Sequence, residues 1–150
     1  MLTKAQKSEV RGFLRRQAAY YDTIQVSPSP NPVSCLSWAL AFQRVLYHLH
    51  QTHHWQTSGI TYYSDHLLFE RLYSGTLEGI DSIGERAVGS GGPELVDLRT
   101  QMTWLGSITE YIYQGQSGQL TVESLLGLSL KAESLFLVLF HKSTTSSGVS

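Results

Sequence analysis

The stretch His53–Gly92, HHWQTSGITYYSDHLLFERLYSGTLEGIDSIGERAVGSGG, carries two pairs of side chains that commonly bind metal ions. His66 and Glu70 are four residues apart, as are Asp81 and Glu85, and in a helix this spacing places both members of a pair on one face. The pairs face nearly the same way, but they lie about 22 Å apart along the helix axis. Because bonds from a metal to these ligands are about 2.0–2.2 Å long, one ion cannot contact both pairs within one chain.

A twofold axis removes this difficulty. If two copies of the helix pack antiparallel, the first pair of one copy faces the second pair of the other, and the dimer has two identical sites. We expect the helices to cross near the small residues Ser74, Gly75 and Thr76, with Gly79 one turn further on. Glycine inside a helix costs about 0.5–1 kcal/mol relative to alanine, so two glycines here suggest a close approach of two backbones.

The order of these residues resembles the signature of the Dps miniferritins, the DNA-binding proteins from starved cells. The resemblance covers the whole quoted stretch and implies a four-helix subunit of a hollow dodecamer, with iron oxidised at a site between two subunits. Trp55 would lie near the iron, where an oxidisable ring can take up stray radicals. The metal ligands implied by the resemblance are His54, His66 and Glu70 from one subunit and Asp81 and Glu85 from its neighbour.

The function that the resemblance implies is storage of iron after oxidation of Fe(II) by peroxide or dioxygen, with possible DNA binding by a basic N-terminus. Imidazole and carboxylate ligands with open coordination positions suit redox-active iron better than a closed structural zinc site. Two alternatives stay open. One is a structural or assembly protein with weak or no ferroxidase activity, and the other is a protein that mainly compacts nucleic acid.

Three features depart from the family pattern. Glu70 stands where the family usually has aspartate, and Gly84 stands where it usually has alanine. After Gly92, the family has a long crossover with a short extra helix, which is nearly absent here. A crossover along the bundle needs about ten extended residues. We therefore expect residues 89–98 to be stretched; the other possibility is a plain up-down-up-down bundle.

Length and composition indicate one folded domain. A chain of 150 residues with 41% hydrophobic residues and four prolines is ordinary for a globular protein. No apolar run is long enough to span a membrane, and no secretory signal is evident. The single cysteine, Cys35, cannot form an internal disulfide, which agrees with a reducing compartment. We therefore expect a cytoplasmic protein with no membrane partner.

The hydrophobic spacing predicts an all-α, ferritin-like four-helix bundle over residues 31–142, with a short connection between its second and third helices. Its helices are expected near residues 32–56, 61–89, 94–113 and 121–140, with Pro32 starting the first helix and Thr61 or Ser64 capping the second. Residues 143–150 are expected to be a disordered tail.

The N-terminal residues 1–30 are expected to form a basic tail or helix that ends in a proline-rich hinge, because proline cannot continue a helix. This segment is basic whereas the rest of the chain is acidic, so the tail is a candidate for binding a polyanion. The candidate nucleic-acid contacts are Lys4, Lys7, Arg11, Arg15 and Arg16.

The remaining histidines and tryptophans have less specific interpretations. His48, His50 and His53 are expected to be solvated or hydrogen-bonded helix residues, although His50 can also support a metal ligand one turn away. Trp38, Trp55 and Trp104 are expected to be packing residues, because aromatic rings bury large areas.

Overall fold

The computed structural model describes residues 32–117 and 120–146, and their backbone is almost entirely helical. The four long helices are α1 (Pro32–Gln56), α2 (Tyr62–Gly91), α3 (Leu98–Tyr113) and α4 (Val122–Ser146), and a 3₁₀ turn (Pro93–Val96) lies between α2 and α3. The predicted all-α class with four helices is confirmed. The predicted N-terminal tail and Asn31 lie outside the described residues, as do residues 147–150.

The starts of α3 and α4 follow local capping chemistry. The Asp97 side chain accepts hydrogen bonds from the backbone N–H groups of Arg99 and Thr100, which have no partner within α3. These hydrogen bonds lower the pKa of the Asp97 carboxyl. At α4, the Thr121 N–H donates to Ser124 Oγ and the Ser124 N–H donates to Thr121 Oγ1. This reciprocal arrangement fixes the first turn of α4 at the predicted place.

Contacts with α1 give the direction of each other helix. His54 lies against His66 near one end of α2, and Leu40 lies under Gly84 near the other, so α2 runs antiparallel to α1. Phe42 contacts Phe136. Because His50 contacts Ser129, earlier in α4, α4 also runs antiparallel to α1. The remaining helix, α3, runs parallel to α1: the Gln101 side chain bonds Ser37, and Leu49 shares a cavity with Ile112.

The chain is therefore an up-down-up-down bundle, and the expected stretched crossover is wrong. Helix α2 continues to Gly91 and the 3₁₀ turn follows almost at once, so no extended segment of crossover length exists there. Gly92 makes the reversal possible with a φ of 95°, in the left-handed region that favours glycine. The short connection between the second and third helices is as predicted.

Buried polar groups fasten this short connection to α1. The Leu95 carbonyl accepts a hydrogen bond from Ser37 Oγ at 2.6 Å, and Gln101 Nε2 donates to the Ser37 carbonyl at 2.9 Å. Gln101 is fully buried. Since a buried polar group without a partner is costly, these bonds hold the end of α2 and the start of α3 in one place.

Helix α1 lies at the centre of the bundle. Residues 37–42 are all buried, which means that α1 is covered on every side, as expected for a helix surrounded by others. Trp38 and Phe42 pack edge-on with ring centroids 5.2 Å apart, and Phe136 of α4 continues the cluster. Trp104 is half-buried against the same core. Trp38 and Trp104 are therefore packing residues, as predicted. None of the helices in the described part of the chain is long and apolar enough to cross a membrane.

Candidate metal centre

The histidines His54 and His66 form a stacked pair between α1 and α2. Their ring centroids are 3.6 Å apart, with an angle of 27° between the ring planes. Each ring also makes a hydrogen bond with the backbone carbonyl of the other residue. His54 Nδ1 lies 2.9 Å from the His66 carbonyl oxygen, and His66 Nδ1 lies 3.0 Å from the His54 carbonyl oxygen. The sequence resemblance predicted that these two residues act together, and the structure brings them together.

These hydrogen bonds identify one ring nitrogen of each histidine that carries a proton. A carbonyl oxygen only accepts hydrogen bonds, so Nδ1 of each histidine must carry the proton. In a neutral imidazole the other nitrogen, Nε2, then has a free lone pair. A backbone carbonyl bonded to Nδ1 is a common support for a histidine that binds metal through Nε2. Nε2 of each ring, which takes no part in these hydrogen bonds, is therefore a candidate ligand atom.

Tyrosine rings hold the pair in position. Tyr62 stacks on His66 at a centroid distance of 5.0 Å, and Tyr73 meets His54 edge-on at 5.4 Å. Tyr73 in turn packs edge-on against Tyr47 of α1 at 5.8 Å. These are preferred aromatic geometries, so they restrict the rotation of both histidines.

The candidate carboxylates lie on the same side of α2 as His66. At about 100° per residue, Glu70 and Asp81 lie within about 60° of His66 around the helix axis, and Glu85 lies about 100° away. All three carboxylates are exposed. Glu70 is one turn from His66, whereas Asp81 lies about 22 Å and Glu85 about 28 Å away along the helix axis. One chain therefore presents two separate half-sites on one side of α2.

The second half-site borders an open groove of about 560 Å³. It is lined by Leu40 and Arg44 of α1 and by Val96 of the 3₁₀ turn. The α2 side is formed by Ile80, Asp81, Gly84, Glu85, Val88 and Gly89. This surface combines apolar walls with two carboxylates and one guanidinium.

The two glycines expected at the helix crossing have different surroundings within one chain. A Cβ on Gly79 would lie 3.4 Å from the Gln43 side chain, so Gly79 allows α2 to pack on α1 of its own chain. Gly75 has open space around it, but it lies about 180° from His66 around the axis. Leu77, which is 52% exposed, lies about 20° from His66. In an interface that joins the half-sites, Leu77 is therefore central and Gly75 is not.

Trp55 is 68% exposed, so it was wrongly predicted to be a packing residue of the bundle. It lies near the connection between α1 and α2. The large hydrophobic residues Ile60, Tyr62 and Tyr63, close to it in the sequence, are also exposed.

A second histidine cluster, between α1 and α4, is buried. His50 and His53 are both 0% exposed, and their Nδ1 atoms lie 3.2 and 2.8 Å from Ser129 Oγ. His50 Nε2 lies 2.8 Å from Glu133 Oε1. Burial, with the nearby His50, lowers the pKa of His53 to about 4. The expectation of hydrogen-bonded histidines is confirmed for His50 and His53, whereas His48 is exposed.

The carboxylate of Glu133 only accepts hydrogen bonds, so His50 Nε2–H donates to it. The Ser129 hydroxyl lies within hydrogen-bond distance of Nδ1 of both histidines and links them. His53 Nε2 is buried without a hydrogen-bond partner among the described residues. Sequence reasoning did not find the roles of Ser129 and Glu133. Their four-residue spacing was the available signal.

Within the described part of one chain, no three histidine, cysteine, aspartate or glutamate side chains are arranged to hold a metal ion. Each candidate half-site alone therefore offers too few ligand side chains to surround a metal ion.

The chain is 32% identical over 110 residues to the nutrient stress-induced DNA-binding protein of Synechococcus sp.. This name is a Dps-family name. The predicted relationship to the Dps family is confirmed. The alignment covers 73% of this chain but 59% of the relative, so the chain spans less than two thirds of that Dps protein. No protein-family profile matches the chain, and no solved structure matches it.

The structure does not show where the predicted DNA contacts of this chain lie. The five basic residues of the tail precede residue 32 and lie outside the described residues. The shortened connection after Gly92 changes the direction of α3 relative to the expected Dps crossover, but it does not alter the positions of the candidate ligands on α2.

Proposed function

We propose that this Dps relative binds Fe(II) as its substrate between two antiparallel α2 helices, oxidises it with peroxide or dioxygen, and stores the product. The observation that carries the proposal is the reciprocal bonding of His54 and His66, which leaves both Nε2 atoms free for a cation. Glu70 adds a carboxylate one helical turn away. The partner's Asp81 and Glu85 complete the site.

Electrostatics and ligand chemistry support this assignment. Imidazole and carboxylate groups suit divalent iron, and exposed carboxylates keep coordination positions accessible. Two Fe(II) ions each lose one electron, and peroxide accepts both electrons with two protons to give two waters. In this reaction the chain's own residues bind and orient the cations, and the carboxylates offset their charge.

Binding can be measured without oxidation. Anaerobic calorimetry with Fe(II), or with Co(II) as a redox-silent probe, is expected to show one strong site per chain in the dimer. Glu85→Gln should weaken binding about tenfold or more, because a charged oxygen ligand becomes neutral. Glu110→Gln, an exposed change on α3, is the matched control. Equal binding by all three proteins would contradict the proposed ligand set.

Storage requires a closed assembly, and we propose a dodecameric, cytoplasmic shell. The native mass of the full chain tests this part separately. A particle of twelve subunits supports storage. A stable dimer or tetramer with oxidation intact would leave a ferroxidase without a storage cavity.

DNA binding is a second candidate function, favoured by the name of the Synechococcus relative and by the basic tail. Phosphate contacts by lysine and arginine provide affinity without sequence specificity. A structural or compacting protein with weak oxidation remains the alternative. Iron oxidation and a DNA gel shift at two salt concentrations distinguish these functions.

A further inference from the structure

We propose that the groove beside Asp81 and Glu85 is a socket for Tyr63 of a second copy of this chain. This inference rests on the antiparallel α2 dimer of the proposed function, and it adds a specific docking contact to that dimer. It concerns the partner that the groove accepts and does not alter the metal ligands.

The helical register leads to this contact. An antiparallel packing that places His66 opposite the partner's Glu85, and Glu70 opposite Asp81, also places Tyr63 opposite Val88. Val88 lines the groove. Around the helix axis, Tyr63 lies about 60° from His66, on the side that carries the half-sites. The register that completes the metal site therefore brings Tyr63 to the groove.

The two surfaces each lack a counterpart within one chain. Tyr63 is 74% exposed, and the groove of about 560 Å³ is open. Two glycines, Gly84 and Gly89, lie along its wall, and a Cβ on Gly89 would meet nothing within 4 Å. The groove therefore has room for an aromatic ring. Tyrosine is among the residues that most often anchor protein interfaces, because it buries a large area in few rotamers.

Charge also suits a tyrosine in this groove. Arg44 lines the groove, and no carboxylate lies within salt-bridge distance of it among the described residues. A guanidinium is attracted to the face of an aromatic ring, more strongly when water is excluded. Seating the ring of Tyr63 over Arg44 would give this cation a partner at the interface.

Site-directed disulfides test the contact in the full-length chain. In a Cys35→Ser background, Tyr63→Cys chains mixed with Val88→Cys chains should give a crosslinked heterodimer on mild oxidation. Leu68→Cys is the matched control: it is also exposed on α2, but it lies about 200° from His66. Crosslinking at Leu68 as efficient as at Tyr63, or none at Tyr63, would overturn the docking contact.

Filling the groove is an independent test. A Cβ at Gly89 meets nothing within 4 Å, and the ring of Gly89→Phe would compete for the space that Tyr63 needs. We expect the dimer dissociation constant to rise about tenfold or more. Gly75→Phe also enters open space on α2, outside the groove, and should leave the dissociation constant unchanged. Equal dissociation constants for Gly89→Phe and wild type would overturn the proposal.

The two proposals can fail separately. If Tyr63 and Val88 crosslink efficiently but the dimer does not bind or oxidise Fe(II), the socket stands and the proposed function is wrong. If oxidation is normal while the crosslink is absent and Gly89→Phe dimerises normally, the socket is wrong and the proposed function stands.

Discussion

His54 and His66 each donate a hydrogen bond from Nδ1 to the other residue's backbone carbonyl, at 2.9 and 3.0 Å. This exchange ties the end of α1 to the start of α2 through Nδ1 and leaves Nε2 of each ring out of the contact. With the proposed function, it predicts that the two ring nitrogens have separable roles: Nδ1 joins the helices, and Nε2 would bind the cation.

Replacement of His66 by asparagine tests this division. An asparagine amide can approximate the Nδ1–H donor but offers no group at the position of Nε2. His66→Asn should therefore keep the fold while Fe(II) affinity falls about tenfold or more. Circular dichroism and anaerobic calorimetry measure the two quantities. His48→Asn, at an exposed histidine of α1, is the control. Full affinity in His66→Asn would remove His66 from the ligand set.

Ser129 connects two fully buried histidines, so its hydroxyl should matter for stability more than for iron. Ser129→Ala leaves Nδ1 of both His50 and His53 without its partner. The expected loss is about 1–3 kcal/mol in the free energy of unfolding. Urea denaturation measures this value, and Ser82→Ala, at an exposed position, is the control. A loss no larger than that of the control would show that the network contributes little.

Acidification should destabilise the metal-free protein through His53. The folded-state pKa is about 4 and the ordinary value is 6.5, so between these values the unfolded chain binds more protons at this position. Stability therefore falls as the pH drops from 6.5 to 4, by up to about 3 kcal/mol. In chelator-treated protein, His53→Phe should have a shallower dependence of unfolding free energy on pH across this window. Identical slopes would contradict the assignment of a neutral buried His53.

The basic tail can be tested by truncation. Removing residues 1–26 should abolish DNA retention while iron oxidation continues, because the half-sites lie on α1 and α2. Retention by the full chain should fall steeply with salt, with a logarithmic slope of up to about −4.5 for five phosphate contacts. A gel shift at several salt concentrations measures this slope. Undiminished retention by the truncated protein would place the contact on the bundle.

Local features of the fold were predictable because they depend on nearby residues. Pro32 and the Thr121–Ser124 pair mark the starts of their helices, and the four-residue spacings place the half-sites on one side of α2. The direction of α3 was not predictable, because it depends on a tight reversal at Gly92 and on long-range bonds from Gln101. The resemblance to Dps favoured a crossover that six residues of turn cannot provide.

In the candidate site, too, the sequence indicated which residues come together but not the long-range contacts that position them. The resemblance paired His54 with His66, but the reciprocal bonds through Nδ1 depend on how two helices meet. Gly79 was expected at a helix crossing between copies, whereas it packs on Gln43 of its own chain. A glycine in a sequence does not reveal which neighbour approaches it. Only the position of α1 distinguishes the two explanations.

The most direct test of the shared site uses two defective chains that can repair each other. His66→Ala/Glu70→Ala removes one half-site, and Asp81→Ala/Glu85→Ala removes the other, so neither variant alone should oxidise Fe(II) at this centre. In a mixed dimer, the intact His66 and Glu70 of one chain meet the intact Asp81 and Glu85 of the other, so one of the two sites is complete. Random co-assembly should therefore restore about a quarter of wild-type activity, because about half the dimers are mixed and each has one complete site. No recovery, when mass spectrometry shows that mixed dimers are present, would contradict ligation across the α2 interface.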